Sequence, residues 1–510
     1  MNLRDLLPDE NITIIGDINT EVAGMSYDSR DICKDYVFFA LPGHNTDGRN
    51  YIDEAISKGA SVIITNSQCD INAKVQIIVK NIFHFMSLMG KKFYNYPDRE
   101  LHLIGITGTN GKTTITYMIE NIFANSGIEC GVIGTVNYRY KDKIIEATNT
   151  TPQSLDIFRI MREMADSGIK HLVMEVSSHA LNLGRVYGID FDIAVFTNLT
   201  QDHLDFHKNM DNYFKAKSIL FKELGAGTKK NKKYAIINVD DSYGKRLLKT
   251  ININVDIKFY SLQMANTADF KAENIKITSK ASAFDLIFGN ERIKIGIKHI
   301  GIYNVYNALA ALGTAVCSGI PLKEAAEGLN NSKQAPGRLE RIDTKKFNFE
   351  IIVDYAHTSD ALKNVLQALK KIKLKRIITV FGCGGDRDRT KRPIMGKTAV
   401  EMSDFVFVSS DNPRSEDPYH IILDIEVGIK RTDKRNYKVL VDRETAIKEA
   451  VMMADEDDII LIAGKGHETY QIIGTEKFHF NDIEVAGKYI DLKEKQKISL
   501  KQVEQKEFVF

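Results

Sequence analysis

A glycine-rich turn between a predicted strand and a predicted helix constrains the fold of this chain more than any other feature. Residues 103–114 read Leu-Ile-Gly-Ile-Thr-Gly-Thr-Asn-Gly-Lys-Thr-Thr, and a stretch compatible with a helix follows over 115–125. A strand, a glycine loop and a helix N-terminus in that order form a phosphate cradle, because backbone N–H groups and the helix dipole both favour an anion. The pattern therefore predicts an α/β unit that binds the phosphates of a nucleotide.

The loop departs from the usual phosphate-loop pattern by one glycine. The usual spacing would place a glycine at position 106, where this chain has Ile106, and the motif instead runs from Gly108 to Thr114. Lys112 can reach terminal phosphates, and the Thr113 hydroxyl can hold Mg²⁺. An ordinary strand-to-helix turn is the alternative, but the lysine and two threonines directly after the glycines favour nucleotide binding.

Composition indicates several domains and argues against several classes of protein. The chain has 510 residues, of which 43% are hydrophobic, enough for about three domains. Its net charge of +2 does not support a general nucleic-acid or membrane-surface role. We expect no signal peptide and no membrane span. The five cysteines are scattered without metal-ligand spacing, so neither a disulfide framework nor a zinc site is expected, and a cytoplasmic location follows.

Two polar segments, 94–98 and 334–338, look like linkers between three predicted α/β domains. Apolar strands alternate with helical segments, which is typical of parallel sheets covered on both faces. We expect a central phosphate-loop domain with an ATPase-like parallel sheet and a C-terminal Rossmann-like α/β domain, with the boundaries 1–97, 98–336 and 337–510. The main predicted strands are 37–41, 61–65, 171–175, 193–198, 234–238, 350–354, 376–381, 405–409 and 458–463, with an antiparallel addition between 255 and 298 and an exposed helix or tail over 492–510.

Polar side chains follow the predicted strands of the central domain, where open α/β sheets form their sites. Glu175 comes directly after one strand and is a candidate Mg²⁺ ligand, with a helix N-terminal acid or a salt bridge as the alternative. The next strand is followed by Asp202, His203 and His207. No Glu stands beside the first histidine, as it does in a zinc-protease helix, so a role beside a hard cation or phosphate, or a structural role, is favoured over zinc.

The C-terminal domain has polar segments at four predicted strand ends. The segment 382–389 is not a dinucleotide fingerprint, because its third glycine is missing. Arg414 suits bidentate recognition of a carboxylate and Glu468 suits an ammonium group, so together they could hold a zwitterionic amino acid. Taken singly, each is more typical of a surface ion pair.

Together these segments resemble the ATP-dependent Mur ligases of peptidoglycan synthesis. The resemblance extends from about Asp28 to Asp482, and its motifs follow one another in the order of the family. Such ligases have three domains that bind a UDP-sugar, ATP and the incoming amino acid. The motifs are 108–114, 149–151, 175–179, 198–203, 354–358, 382–388, 411–414 and 464–468.

The resemblance implies contacts to a UDP-muramoyl-peptide in the first two domains. The uridine diphosphate end would be bound by Tyr27, Ser29, His44, Asn45 and Thr46. The muramoyl-peptide would be bound by Asn149, Thr150, Thr151, Ser177 and Arg185. Family members often carry Gln two positions before that Arg, where this chain has Leu183, so that contact is not carried over.

The resemblance also implies a site for ATP and Mg²⁺. Lys217 matches the carbamylated lysine of the family, N6-carboxylysine, although from sequence alone it is an ordinary helix lysine. Carbamylation converts a cation into an anion and requires a neutral amine, which burial can provide. The nucleotide contacts would be Gly108, Thr109, Asn110, Gly111, Lys112, Thr113, Thr114, Asn304, Arg338 and Asp354. The metal ligands would be Thr113, Glu175, His203 and Lys217.

The implied activity adds the third stem-peptide residue to UDP-N-acetylmuramoyl-L-alanyl-D-glutamate through an acyl phosphate, and so serves cell wall biogenesis, cell shape and cell division. Lys112, Lys217 and His203 would be catalytic, and His357 is a candidate base. In this family the arginine form of the 411–414 motif accompanies meso-diaminopimelate, whose site would be Arg387, Asp411, Asn412, Pro413, Arg414, Gly464 and Glu468. L-Ornithine or L-lysine is the alternative, but neither has a distal carboxylate for Arg414.

Two other interpretations stay open. The first is a related amide ligase, such as a folylpolyglutamate synthase or another Mur ligase, against which the Arg414 motif argues. The second is a nucleotide switch without ligase activity, which would have no use for an amino-acid pocket. We expect a monomer with small-molecule substrates and no nucleic-acid partner.

Overall fold

The computed structural model describes residues 1–43, 46–226, 232–263, 268–278 and 280–507. Three α/β units follow one another along the chain, each with its own sheet. Within the described ranges, no helix is long and apolar enough to cross a membrane.

The first unit is a five-stranded sheet with helices against it. Its elements are α1 (Leu3–Leu6), β1 (Thr13–Gly16), β2 (Gly24–Ser26), β3 (Tyr36–Phe39), α2 (Ile52–Ser57), β4 (Ala60–Thr65), β5 (Val75–Ile78) and α3 (Ile82–Phe93). The strand order is β1-β5-β4-β3-β2, and β1 is antiparallel to its neighbour while the others are parallel.

The central unit contains an eleven-stranded sheet. Its elements are β6 (His102–Thr107), α4 (Lys112–Asn125), β7 (Cys130–Ile133), β8 (Asn137–Tyr140), β9 (Lys143–Glu146), α5 (Ser154–Asp166), β10 (His171–Glu175), α6 (Ser178–Asn182), β11 (Ile193–Phe196), α7 (Leu204–His207), α8 (Met210–Glu223), β12 (Tyr234–Asn238), α9 (Ser242–Leu247), β13 (Asp256–Ser261), β14 (Phe270–Ile277), β15 (Ser282–Phe288), β16 (Glu291–Ile297), α10 (Ile302–Cys317) and α11 (Leu322–Asn330).

The order of the central strands places the phosphate loop at the middle of a parallel sheet. The order is β16-β15-β14-β13-β12-β11-β6-β10-β7-β8-β9, parallel from β14 to β7 and antiparallel at both ends. Because β6 lies between β11 and β10, the carboxyl ends of these three strands meet at one edge, where an open α/β sheet forms its site.

The third unit is a six-stranded sheet followed by a hairpin and a long helix. Its elements are β17 (Glu340–Ile342), β18 (Glu350–Asp354), α12 (Ser359–Ile372), β19 (Ile377–Phe381), α13 (Lys391–Met402), β20 (Phe405–Val408), α14 (Pro418–Lys430), β21 (Tyr437–Val439), α15 (Arg443–Met453), β22 (Ile459–Ala463), β23 (Tyr470–Ile473), β24 (Glu476–His479) and α16 (Asp482–Glu507). The sheet order is β17-β18-β22-β19-β20-β21, parallel except for β17.

Apolar cores cover both faces of the central sheet. Leu103 belongs to a cluster that includes Phe158 of α5 and Phe221 of α8. Its neighbour Ile104 belongs to the opposite cluster, with Met118 of α4. Successive side chains of a strand point to opposite faces, so a strand buried on both faces is a continuous apolar run, as the β6 sequence shows.

The predicted α/β class is confirmed, and three of the predicted strands, β10, β12 and β18, have the predicted bounds. The antiparallel addition is formed by β14, β15 and β16. One expectation is wrong: only helices were expected between the strand before the phosphate loop and the strand at 171, where β7–β9 lie. The 94–98 segment, predicted to be a linker, ends at Asp98, which is fully buried and whose carboxylate lies 2.6 Å from Lys91 Nζ.

Candidate active site

The glycines of the phosphate loop have conformations and close contacts that a side chain would prevent. Gly108 has φ +148° and Gly111 has φ +92°. A Cβ atom on Gly108 would lie 1.8 Å from Thr197 Oγ1. Helix α4 begins directly after the loop, and Lys112 Nζ donates hydrogen bonds to the carbonyl oxygens of Gly108 and Thr109, both at 2.9 Å. The strand, loop and helix therefore have the arrangement that an anion site requires.

Glu175 ends β10 and lies against the first turn of α4. Its Oε2 accepts hydrogen bonds from the hydroxyls of Thr113 at 3.0 Å and Thr135 at 2.9 Å. Arg338, just before the third sheet begins, donates from Nη2 to the Thr113 hydroxyl at 3.2 Å. The structure thus brings Thr113, Glu175 and Arg338 together, although they belong to segments far apart in sequence.

The residues after β11 support the opposite side of the loop. Asn198 Oδ1 accepts a hydrogen bond from the Asn110 backbone N–H at 3.0 Å. His203 has φ +52°, and its Nε2 lies 3.3 Å from Asp202 Oδ2. Burial lowers the pKa of His203 to about 3 although this carboxylate opposes the shift. The ring is therefore neutral at pH 7, which is the form that binds a metal ion.

Lys217, on α8, is a buried lysine beside the phosphate loop. It is 2% exposed, its Nζ donates a hydrogen bond to the Gly108 carbonyl oxygen at 2.9 Å, and it lies 4.8 Å from the centre of the Tyr213 ring. Burial, and then the charge of Lys112, lower the pKa of Lys217 well below its usual range. Both effects favour a neutral amine.

A cavity of about 330 Å³ lies between the phosphate loop and the third unit. It is lined by loop residues Asn110 and Gly111, and by the predicted nucleotide contacts Asn304, Arg338 and Asp354. Asp354 is 7% exposed, and burial raises its pKa to about 6. Size, position and polar groups suit the nucleoside part of a nucleotide whose phosphates reach the loop.

The carboxyl ends of β20 and β22 form a second polar cluster in the third unit. Asn412 donates from Nδ2 to Glu468 Oε2 at 2.8 Å. The buried Lys465 donates from Nζ to Asn412 Oδ1 at 3.1 Å and to Glu468 Oε2 at 3.2 Å. Burial and the charge of Asp411 raise the pKa of Glu468, against the effect of Lys465. A Cβ atom on Gly464 would lie 2.5 Å from Asp411 Oδ2, so this turn requires glycine.

Arg414 lies beside this cluster without a carboxylate of its own. Its Nη1 donates to the Gly385 carbonyl oxygen at 2.7 Å, and no carboxylate in the described ranges forms an ion pair with it. Burial, and then the charge of Arg387, lower its pKa. Arg387 is exposed and donates to the carbonyl oxygen of Asp386. The two guanidinium groups therefore form a cationic patch close to Glu468.

His357 follows β18 and is held by its own backbone. Its Nδ1 lies 2.9 Å from the carbonyl oxygen of Tyr355, which can only accept, so Nδ1 carries the proton and Nε2 is free to accept one. Burial, and then the charge of Lys391, lower the pKa of His357 to about 4. A neutral ring at this strand end is compatible with the base role predicted for it.

The described residues expected to bind the UDP-sugar peptide belong to the first and central units, and one of them, Tyr27, links the two units. The Tyr27 hydroxyl donates to Asp156 Oδ2 at 2.6 Å, and the Ser29 hydroxyl to Glu54 Oε2 at 2.9 Å. Arg185 Nη1 donates to the Thr151 carbonyl oxygen at 2.9 Å. Of the remaining candidates, Thr46 is exposed and Ser177 caps α6. The carbonyl oxygen of Asn149 accepts a hydrogen bond from the Tyr138 hydroxyl, and the Thr150 hydroxyl is hydrogen-bonded to that of Thr135. His44 and Asn45 lie outside the described residues.

Sequence reasoning missed two polar residues of this region. Asp360, on α12, accepts hydrogen bonds at its Oδ2 from Asn110 Nδ2 and from the Thr200 hydroxyl, both at 3.1 Å. Lys465 lies within a motif that was recognised, but no role was given to it. Its place directly after β22 was a usable signal, whereas no sequence pattern indicates that Asp360 meets the phosphate loop.

Fold and site together define a phosphate-loop α/β protein whose third unit carries a second, charged cluster at the carboxyl ends of its strands. Three family models match the chain: the Mur ligase family catalytic domain over 21–89, the Mur ligase middle domain over 106–315, and the Mur ligase glutamate ligase domain over 337–466. The chain belongs to the Mur ligase family.

Relatives with nearly full-length similarity support this placement. The UDP-N-acetylmuramoyl-L-alanyl-D-glutamate--2,6-diaminopimelate ligase 1 of Clostridium acetobutylicum is 45% identical over 493 residues, covering 96% of this chain and 99% of that protein. A solved structure titled as a UDP-N-acetylmuramoyl-L-alanyl-D-glutamate--2,6-diaminopimelate ligase is 31% identical, with TM-score 0.67 and coverage of 97% and 99%. The MurF ligase of Thermotoga maritima in complex with ADP, 17% identical with TM-score 0.63 and coverage of 94% and 99%, shares the fold.

Proposed function

We propose that this protein couples ATP cleavage to amide formation between UDP-N-acetylmuramoyl-L-alanyl-D-glutamate and meso-diaminopimelate. The observation that carries the proposal is the cluster at the edge of the third sheet, where Arg414 has no carboxylate partner among the described residues and Glu468 lies close by. The printed names of the relatives support the same substrates.

The charges of this cluster match an amino acid with a second zwitterionic end. Guanidinium groups bind carboxylates in a bidentate manner, and a buried carboxylate binds an ammonium group. Diaminopimelate supplies both at its distal end. L-Lysine and L-ornithine lack the distal carboxylate and would leave the half-buried Arg414 guanidinium without an anion, which lowers their affinity relative to diaminopimelate.

The cavity beside the phosphate loop is proposed to hold adenosine. Asn304, Arg338 and Asp354 line it, and the ATP phosphates would then reach the N–H groups of 108–114 and the Lys112 ammonium. The ADP-bound relative of similar fold supports nucleotide use.

The residues near the loop fit Mg²⁺ bound jointly with phosphate. Within the described residues, no group of three His, Cys, Asp or Glu side chains could hold a metal by itself. Mg²⁺ prefers one or two carboxylates together with substrate phosphates, and Thr113 and Glu175 offer one hydroxyl and one carboxylate 3.0 Å apart. His203 and a carbamate on Lys217 would hold a second ion. Bound Mg²⁺ would neutralise charge on the phosphate oxygens.

The chemistry follows from the weak electrophilicity of a carboxylate. Transfer of the γ-phosphoryl group gives an acyl phosphate, and this transfer needs positioning and charge neutralisation, which Lys112 provides. The amine of the amino acid then attacks the acyl carbon and phosphate leaves. His357 Nε2 is our candidate acceptor of the amine proton, and docking of the third unit keeps water from the acyl phosphate.

We further propose domain boundaries at 1–97, 98–336 and 337–510, which bind the UDP-sugar, ATP and the amino acid respectively. The three matched segments, 21–89, 106–315 and 337–466, are consistent with this division. A cytoplasmic location is proposed, because each substrate is a small soluble molecule. We also propose that the protein is a monomer.

Product mass spectrometry tests the function. The protein is incubated with Mg-ATP, UDP-N-acetylmuramoyl-L-alanyl-D-glutamate and, separately, diaminopimelate, L-lysine and L-ornithine. We expect product with diaminopimelate alone. No product with any of the three would overturn the ligase proposal, and equal rates with lysine would overturn the role of Arg414. Phosphate release without the muramoyl-peptide would indicate a nucleotide switch.

A further inference from the structure

Lys465 is a fully buried lysine that holds one oxygen of the Glu468 carboxylate. It comes two residues after β22, and its ammonium group donates to Glu468 Oε2 at 3.2 Å. The turn between the two residues is closed by a hydrogen bond from the Glu468 N–H to the Lys465 carbonyl oxygen at 3.0 Å. Because both side chains start from one short turn and Lys465 is enclosed by protein, the carboxylate oxygen that it contacts is fixed in place.

Asn412 contacts the same oxygen and is itself oriented by Lys465. Its Nδ2 donates to Glu468 Oε2 at 2.8 Å. Its Oδ1 accepts from Lys465 Nζ at 3.1 Å and from the Ile472 N–H at 2.9 Å. Because an amide oxygen only accepts and an amide nitrogen only donates, these two donors determine which way the amide points. Lys465 therefore orients Glu468 twice, once directly and once through Asn412.

The second oxygen of Glu468 remains open to a ligand. Both donors bind Oε2, and no group in the part of the chain that the structure describes donates a hydrogen bond to Oε1. The side chain of Glu468 is 15% exposed, whereas that of Lys465 is 0% exposed. A carboxylate with one oxygen held and the other accessible can accept a charged hydrogen bond from an ammonium group in a defined direction.

Lys465 is the cation committed to Glu468. Arg443 is also fully buried, but two hydrogen bonds of 2.8 Å join its guanidinium to Asp482. Asp411 is a second buried carboxylate, so without Lys465 two carboxylates would interact while no cation was bound to Glu468. The ionisable groups that interact with Glu468 are Lys465, Asp411, Arg414, Arg443, Tyr355 and Tyr470.

We propose that Lys465 is a positioning residue for the amino acid: it holds Glu468 Oε2 so that Oε1 accepts the distal ammonium group of diaminopimelate. This inference rests on the proposed ligase function. Lys465 acts through Glu468 and Asn412, and it loses no proton. A carboxylate that is already oriented gives more affinity than a mobile one, because less conformational entropy is lost when the ammonium group binds. Lys465 therefore contributes to the preference for an amino acid with a distal ammonium group.

The test compares kcat/KM for diaminopimelate with kcat/KM for α-aminopimelate, which has the distal carboxylate but lacks the distal ammonium group. We expect the preference for diaminopimelate to fall by about 10–100-fold in Lys465→Met, as for loss of one hydrogen bond to a charged group. The KM for diaminopimelate should rise, while kcat and the KM for ATP should stay unchanged. Lys465→Gln, which keeps a polar group at this buried position, should also lose preference.

A second lysine beside the same ring provides the control. Lys477 is 56% exposed, and its Nζ lies 4.5 Å from the centre of the Tyr470 ring, against 5.8 Å for Lys465 Nζ. Lys477→Met removes a charge close to this ring without touching Glu468, so its preference for diaminopimelate should equal that of the wild type.

The ratio of the two substrates and its pH profile separate positioning from a general loss of structure. A partly unfolded variant loses activity with both substrates equally, which leaves the ratio unchanged. Lys465 lowers the pKa of Glu468. In Lys465→Met this carboxylate therefore takes up its proton at a higher pH, and the preference for diaminopimelate should begin to fall at a higher pH than in the wild type.

The outcomes distinguish this inference from the ligase proposal. A wild-type preference in both Lys465→Met and Lys465→Gln, an equal loss with both substrates, or an equal change in Lys477→Met would each overturn the positioning role alone. If the wild type forms no product with diaminopimelate, the ligase proposal fails, and this inference fails with it.

Discussion

At the scale of single residues, the environment of Lys217 explains how a lysine can serve an anionic role. An exposed lysine is charged and repels Mg²⁺, but burial and the charge of Lys112 lower the pKa of Lys217. A neutral amine can react with carbon dioxide to give a carbamate. We expect Lys217→Ala to lose at least about 100-fold in activity, as for loss of a residue that organises transition-state charge.

Chemical rescue distinguishes the carbamate from a packing role. If Lys217 only supplies an anion, formate or acetate should restore part of the activity of Lys217→Ala, and ¹³C-labelled bicarbonate should give a carbamate signal in the wild type alone. Full activity of the variant without rescue would exclude the carbamate.

Arg414 is predicted to determine the choice of amino acid. Replacement by Lys keeps the charge but loses the planar, two-point recognition of a carboxylate. We expect Arg414→Lys to lower kcat/KM for diaminopimelate by about 30–100-fold, equivalent to about 2–3 kcal/mol for a charged hydrogen-bonded contact. Activity with lysine should not fall. Arg389→Lys, at an exposed arginine paired with Asp424, is the control, and an equal loss there would contradict the specific role.

At the scale of elements, the conformation of the β6–loop–α4 segment depends on Gly108. A second glycine, Gly127 after α4, provides a control for the effect of positive φ alone. Gly108→Ala combines a positive φ with a Cβ contact 1.8 Å from Thr197 Oγ1, so the loop must move. Gly127, just after α4, also has a positive φ of +70°, but no atom lies within 4 Å of an added Cβ. Gly127→Ala should cost about 1 kcal/mol of stability and leave ADP binding intact. Gly108→Ala should abolish ADP binding in calorimetry, and retained binding would contradict this account.

The elements predicted well are those whose sequence alone determines their environment. The strands β10, β12 and β18 are buried apolar runs bounded by polar residues, and such runs are readable without knowing their neighbours. The strands β7, β8 and β9 were missed because each has only four residues, and β8 and β9 exist through antiparallel pairing at the sheet edge, while β7 joins them to β10. Such pairing is a non-local property that a short window does not contain.

In the candidate site too, residues recognisable from the local sequence were predicted, and residues brought in by distant contacts were not. Lys112, Glu175 and Arg414 follow strands and could be proposed from position and residue type. Asp360 could not, because its partner Asn110 is 250 positions away in sequence and the contact depends on how two units dock. Sequence therefore identified residues within each unit, and the structure was needed to find the contacts between units.

At the scale of the whole molecule, Asp360 is expected to fasten the third unit to the phosphate loop. Its Oδ2 accepts from both Asn110 and Thr200 of the central unit. Removing an acceptor shared by two donors costs about 1–3 kcal/mol, so Asp360→Ala should raise the KM for ATP by about 10-fold and increase the radius of gyration in small-angle scattering. The exposed Asp433→Ala is the control. An unchanged radius of gyration in Asp360→Ala would show that other contacts hold the units together.

The response of the whole molecule to acid follows from its buried histidines. Burial lowers the pKa of His171, His299, His357 and His467 to about 4, against 6.5 for an exposed ring. Between these two values the unfolded chain binds more protons than the folded one. The free energy of unfolding is therefore highest above about pH 6.5 and falls as the pH is lowered towards 4.

His299 allows this pH dependence to be tested at one position, since it is 1% exposed and neither ring nitrogen has a partner among the described residues. His299→Leu should raise the free energy of unfolding at pH 7.5 by about 1–3 kcal/mol, because an unsatisfied polar ring is replaced. It should also flatten the dependence between pH 6.5 and 4 by about one proton, or about 1.4 kcal/mol per pH unit. Denaturant titrations at several pH values measure both, with the exposed His420→Gln as control. Identical pH dependence in wild type and His299→Leu would show that the pKa of this ring is the same in the folded and unfolded states.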